Sequence, residues 1–251
     1  MPISGQFLLL LISYIANTFS AFAGGGAGLI QLPMLIFLGL PFSIALATHK
    51  IASVALGVGA TIRHLRSGKL SLSFALFVLL SGIPGVITGG FVIIQVPERQ
   101  AEIALGVLTV FLGVYSWSKP NLGQQYQPIH HNTSGFIIGG IILCLIGLLN
   151  GSLTSGTGLF VTLWIIRWFG LDYKTAVAYT LVLVGIFWNG TGALTLGILS
   201  TIQWDWLPAL LIGSFLGGYT GAHLAIISKN QWIKRIFELI TISVGIKLIF
   251  A

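Results

Sequence analysis

Apolar positions fill this chain in long runs, five in each half, separated by short polar connections. They lie at roughly 5–22, 27–39, 42–63, 70–95 and 99–117, then at 134–150, 157–169, 173–196, 205–227 and 231–249. Most are long enough to cross a bilayer as helices. Two are not: 27–39 and 157–169 would rise only ~20 Å at 1.5 Å per residue, against a hydrocarbon core of ~30 Å. Each short run is opened by small residues, AGGGAGLIQLP from Ala23 to Pro33 and LTSGTGLFVTL from Leu153 to Leu163. Backbone that breaks at membrane depth is tolerated only where it is buried in protein or lines a cavity. Short, glycine-interrupted segments in corresponding places of two halves point to a transporter's binding site. The two breaks are therefore expected to face each other near the bilayer midplane. Pro41 and Pro97 sit near segment starts, where a helix accommodates proline.

Composition agrees with this class. Of 251 residues, 55% are hydrophobic and 7% charged, whereas a soluble domain carries roughly 25% charged residues. The predicted fold class is an all-α polytopic membrane protein. The net charge of +7 does not imply a nucleic-acid partner, because the lysines and arginines lie in connections between apolar runs, as cytoplasmic anchoring requires. Cys144 is the single cysteine, inside an apolar run, so no intrachain disulfide can form. No Cys, His or carboxylate cluster has metal-site spacing. The first run ends in small residues like a cleavage site, but no Lys or Arg precedes it. A retained helix is expected, since the second half contains an equivalent segment.

The halves repeat. Gly28-Leu29 matches Gly158-Leu159, Gly39-Leu40 matches Gly170-Leu171, and Gly82, Gly90 and Gln100 match Gly213, Gly221 and Gln231. The predicted division is 1–118, a polar linker at 119–133, and 134–251. Charges swap sides between the halves. Arg63, Arg66 and Lys69 follow the third segment of the first half, while Lys229, Lys234 and Arg235 follow the fourth of the second. Inverted repeats, each with one short broken helix, put these cations on one side, the cytoplasm by the positive-inside rule, and both termini outside. A short segment that re-enters instead of crossing would make the halves parallel.

Lys50 is the most informative side chain. It lies nine residues after Pro41, or ~14 Å into the third segment. A lysine at that depth costs at least ~2.5 kcal/mol on insertion scales, so it is expected to face the bundle interior and to have a role. The bland alternative is a snorkelling lysine at a misplaced boundary. His49 and Thr48 are adjacent candidates, and Thr180 is the repeat partner of His49. The acids are Glu98, Glu102, Asp172, Asp205 and Glu238, and none lies in or beside a glycine break. Cation sites need such acids. Here the evident intramembrane charge is positive, and broken helices add amides with partial positive charge. The predicted ligand is a small, hard anion. Its candidate donors are Gly24, Gly25, Gly26, Gly28 and Gln31 at the first break. Thr154, Ser155, Gly156, Thr157 and Gly158 are those at the second, with Asn150 before it and Asn189 in the WNGTG stretch.

Each candidate has a plainer explanation. Gly24 and Gly28, four apart, could instead serve helix packing, as is expected for Gly85 and Gly89 and for Gly213, Gly217 and Gly221. Asn150, Asn189 and Gln31 could cap helices or bond between them. His223 could be a protonation site, although a neutral packed histidine is the stronger expectation. Tryptophans near segment ends fit an interfacial belt. There is no P-loop, dinucleotide fingerprint or nucleophile triad, so ATP coupling within the chain, an enzymatic role and a cofactor are not expected.

AGGGAGLIQLPMLIFLGLPFSIALATHK, a helix ending near Gly68-Lys69-Leu70, and the second-half GLLNGSLTSGTGLF…FGLDYKTAVAYT resemble the signature of the TauE/SafE (sulfite exporter) permeases. The likeness covers essentially the whole chain. It implies a secondary transporter of sulfite, thiosulfate or a related sulfur or organosulfonate anion in a prokaryotic inner membrane. A proton or other ion could provide coupling. The second break departs from a pure glycine run at Thr154, Ser155 and Thr157. An anion channel, or a membrane partner of a sulfur-metabolising enzyme, are the alternatives.

Overall fold

The computed structural model describes residues 3–24, 28, 30–65, 70–153 and 156–250. Helices form where the apolar runs predict them. In the first half they are α1 (Ile3–Ala23), α2 (Gln31–Phe37), α3 (Phe42–Leu65), α4 (Leu72–Ile93) and α5 (Glu98–Trp117). The second half contains α6 (Thr133–Ser152), α7 (Thr157–Phe169), α8 (Tyr173–Val182), α9 (Asn189–Leu199), α10 (Leu207–Ile227) and α11 (Asn230–Phe250). Among the described residues, six rods are long and apolar enough to cross a membrane: α1, α3, α4, α6, the α8–α9 rod and α10 with the short turn before it.

Two elements differ from expectation. Among the described residues of the first short segment, expected over 27–39, the α-helix is the seven-residue α2, followed by a left-handed Gly39 (φ +97°). The single rod expected over 173–196 is interrupted by a π turn, Leu183–Trp188, between α8 and α9. Such a bulge adds one residue to the helix and re-aims the side chains that follow it.

Local chemistry fixes two helix starts. Asn132 caps α6 by accepting from the Gly135 amide at 2.9 Å, and Asp172 caps α8 by accepting from the Thr175 amide at 3.1 Å and the Thr175 hydroxyl at 2.7 Å. Replacing Asp172 with alanine is expected to cost about 1 kcal/mol of stability. The check is a lower unfolding temperature in detergent with an unchanged chromatographic profile.

Glycines let backbones touch, which gives the direction of each helix pair. Along α1 and α10, Gly213 packs on the Leu10 carbonyl, Gly217 on Tyr14 and Gly221 on Thr18, so these helices are parallel. Along α4 and α6, Gly147 packs on Gly82 and Gly151 on Val86, again parallel. Gly218 meets Leu56 and Arg63 bonds His223, so α3 is parallel to α10. Gly57 meets Gly185 while Lys50 meets Gly192, so α3 is antiparallel to the α8–α9 rod. Arg99 reaches the Ile249 carbonyl and Gly113 packs on Ile242, so α5 is antiparallel to α11. The packing role expected for Gly85, Gly89, Gly213, Gly217 and Gly221 is what these contacts provide.

The polar linker is more than a spacer. It folds back on the α7–α8 corner, where the Gln127 amide donates to the Gly170 carbonyl and the Ile129 amide to Phe169. His130 stacks on Trp168 at 4.1 Å between ring centroids.

Candidate functional site

Helix α3 carries three consecutive polar side chains, Thr48, His49 and Lys50, all completely buried. Successive helical residues point about 100° apart, so the three enter different surroundings.

Lys50 points into the bundle. Its Nζ donates to the Asn150 carbonyl at 2.7 Å, to Asn150 Oδ1 at 3.0 Å and to Asn189 Oδ1 at 3.4 Å. An ammonium has three donors, so all are engaged, and among the described residues no carboxylate is an acceptor. Asn150 Nδ2 in turn donates to Thr157 Oγ1 at 2.8 Å. Three parts of the chain build this cluster: the end of α6, the start of α7 and the first residue of α9 after the π turn. Gly192, one turn into α9, makes room, since a Cβ there would lie 2.7–2.9 Å from Lys50 Cδ, Cε and Nζ. Gly192→Val is expected to push the ammonium away from Asn150 and to cut flux of the anion expected from the sequence at least about tenfold, with little change in folding. Flux in proteoliposomes beside the chromatographic profile of the variant is the check.

The second break turns sharply at Gly156 (φ +76°), whose carbonyl accepts from the Leu159 amide. The left-handed conformation is cheap only for glycine. From there α7 opens with Thr157 at the Asn150 amide. Gly158 is buried inside α7.

His49 enters a second cluster, built only from amides and hydroxyls. Its Nδ1 lies 2.9 Å from Gln31 Oε1, at the start of α2, and its Nε2 lies 2.9 Å from Ser53 Oγ, one turn along α3. Gln31 Nε2 faces Ser13 Oγ at 2.9 Å and Ser214 Oγ at 3.2 Å. Asn17 Nδ2 donates to the Ser13 carbonyl at 2.6 Å, and Asn17 Oδ1 is buried with no partner.

Other expected residues are set apart. Thr48 Oγ1 accepts from the Gln203 amide at 2.9 Å and so ties α3 to the connection before α10. Thr180 bonds Thr162, whose hydroxyl also lies 3.0 Å from the Gly24 carbonyl. Gly24 is buried and left-handed (φ +71°), with Val177 against it. Gly28 is also buried. Gly25, Gly26, Thr154 and Ser155 lie outside the described residues. The expected set thus divides into Lys50 with Asn150, Thr157 and Asn189, then His49 with Gln31, then Thr180 with Gly24, and Thr48 alone.

Sequence reasoning missed Ser13, Asn17, Ser53, Thr162 and Ser214. Ser13 and Asn17 are four apart in an otherwise apolar helix, and so are His49 and Ser53, so the same-face spacing was visible. His223, expected to be packed, is instead exposed, and its Nδ1 accepts from Arg63 Nε at 2.9 Å. Glu238 is buried against Lys234 in an ion pair one turn apart, and Ser116 Oγ lies 3.0 Å both from Glu238 Oε1 and from Tyr173 OH.

Comparison with known proteins gives a consistent result. The profile of the family described as sulfite exporter TauE/SafE matches residues 9–248. The "Probable membrane transporter protein ORF9" of a Sinorhizobium species is 27% identical over 242 residues, 96% of this chain and 91% of that protein. A "Probable membrane transporter protein" of Haemophilus influenzae is 24% identical, covering 97% and 94% of the two chains. The YfcA protein of Escherichia coli K12, also named a probable membrane transporter, is 25% identical, covering 97% and 89%. No solved structure matches significantly.

Proposed function

The chain belongs to the sulfite exporter TauE/SafE family and is a membrane transporter; from that premise we propose that it carries a small sulfur oxyanion or organosulfonate across the cytoplasmic membrane by alternating access. One observation carries this reading: the fully buried Lys50 ammonium is held by amide and backbone oxygens, with no carboxylate among its partners. An uncompensated ammonium in the membrane costs several kcal/mol. An anion in place of one carboxamide oxygen would supply the missing charge. The N-terminus of α7 opens beside the cluster, where its amides favour negative charge.

Lys50, Asn150 and His49 have no exposed surface, so an anion enters only when neighbouring helices move apart. The two halves are inverted repeats in this proposal. Helix direction supports it: α3 against the α8–α9 rod and α5 against α11 are counterparts in the two halves, and each pair is antiparallel. Rocking of one half against the other would expose Lys50 to each side in turn. The basic connections then face the cytoplasm, with both termini outside.

The test is counterflow of labelled thiosulfate or sulfite into proteoliposomes of the purified protein, with chloride, carboxylates and alkali cations as competitors. Saturable exchange inhibited by sulfur oxyanions is expected. Transport of a cation alone would overturn the anion reading, and flux without saturation would replace the transporter with a channel.

A further inference from the structure

We propose that His49 is a proton-binding site coupled to the anion at Lys50, the proton adding to Nε2 as the anion binds; this rests on the anion-transport reading above. The hydrogen-bond network determines which nitrogen titrates. Ser13 Oγ donates to the Leu210 carbonyl at 2.9 Å. Its oxygen therefore accepts from Gln31, and the Gln31 carboxamide presents its NH2 group to Ser13 and Ser214. That leaves Gln31 Oε1 facing His49 Nδ1, which must carry a hydrogen. In the neutral ring Nε2 is then a bare acceptor.

Ser53 lets this nitrogen exist in both states. Its Oγ stands 2.9 Å from His49 Nε2 and 2.9 Å from the His49 carbonyl. With the ring neutral, the Ser53 hydroxyl donates to Nε2. With the ring protonated, Nε2–H donates to Ser53 Oγ and the hydroxyl turns to the His49 carbonyl. No donor or acceptor in the group is lost by the change. One N–H bond forms, with a proton from the aqueous side that is open at the time.

The charges around the site link the proton to the substrate. Among the described residues the imidazole nitrogens meet Gln31 on α2 and Ser53 on α3, and behind Gln31 stand Ser13 and Asn17 on α1 and Ser214 on α10, all uncharged; the neighbouring residue Lys50 is the adjacent cation. An imidazolium next to that ammonium is opposed until an anion arrives. With a dianion at Lys50, the charges of the anion, the ammonium and the imidazolium sum to zero. Linkage is reciprocal, so anion binding promotes proton uptake and protonation tightens the anion.

Thiosulfate is a suitable probe, because it carries no proton of its own near neutral pH. Detergent-solubilised full-length protein is titrated with thiosulfate in weakly buffered choline salt containing a pH dye. Uptake of about one proton per bound anion is expected. His49→Gln is expected to bind about tenfold more weakly and to take up none. Ser53→Ala keeps the imidazole but removes the Nε2 partner, and it is expected to lower proton uptake at neutral pH. Binding without proton uptake in the wild type, or a requirement for sodium, overturns the proton site and leaves anion transport standing. Failure to bind either thiosulfate or methanesulfonate overturns both.

Discussion

Replacing Lys50 with methionine is expected to abolish anion transport while leaving the protein as stable as the wild type, or more so. The two effects have different origins. Truncating one partner of a buried charge pair costs roughly 2–5 kcal/mol of binding, so affinity for a sulfur oxyanion should fall by at least about thirtyfold, and counterflow should reach background. Folding gains from the same change. A buried ammonium is costly in a membrane, and replacing buried charge by an apolar side chain of similar length is often neutral or stabilising. The Asn150 and Asn189 oxygens lose a donor, which limits that gain. Equilibrium binding and unfolding temperature on one preparation test the pair of outcomes. A Lys50→Met protein that still exchanges thiosulfate at the normal rate would remove the ammonium from the site.

Gly85→Val is expected to have the largest structural effect. A Cβ at position 85 would collide with the Cys144 carbonyl and the Leu148 amide of α6. Both are backbone groups of a packed helix, and neither can swing aside. The α4–α6 pair would have to separate along its length, losing contacts at Gly89, Gly147 and Gly151 as well. A loss of more than about 4 kcal/mol follows, enough to eliminate folded protein. Gly190→Ala is the internal control. Its Cβ would meet only Val54 at 3.9 Å, and the helix gains up to about 1 kcal/mol by propensity. A monodisperse chromatographic peak for Gly190→Ala and none for Gly85→Val is the expected result.

The segments were legible because apolar runs and polar connections alternate cleanly at membrane scale. Lys50 was legible for the same reason, since a cation deep in an apolar run has few innocent explanations. Its partners Asn150 and Asn189 were candidates only because they stand beside a break and among glycines. What joins them to Lys50 is the tertiary path of α6, α7 and α9, which no local pattern encodes. The His49 cluster was harder still, because serines at 13, 53 and 214 are ordinary in membrane helices and acquire meaning only when three rods bring them together. The π turn left no composition signal. LVGIFW is as apolar as its neighbours, and the interruption arises where the Gly57–Gly185 contact brings α3 against the rod. The buried Lys234–Glu238 pair was visible as spacing, but its depth was not.

Helix α5 packs along its length against α11, and among the described residues neither helix contributes to the Lys50 or His49 clusters. The outward side chains Val107, Phe111, Val114 and Leu239 meet whatever surrounds the molecule. Mutational drift on that flank can retune how the carrier sits among acyl chains of different thickness while its cargo preference stays unchanged.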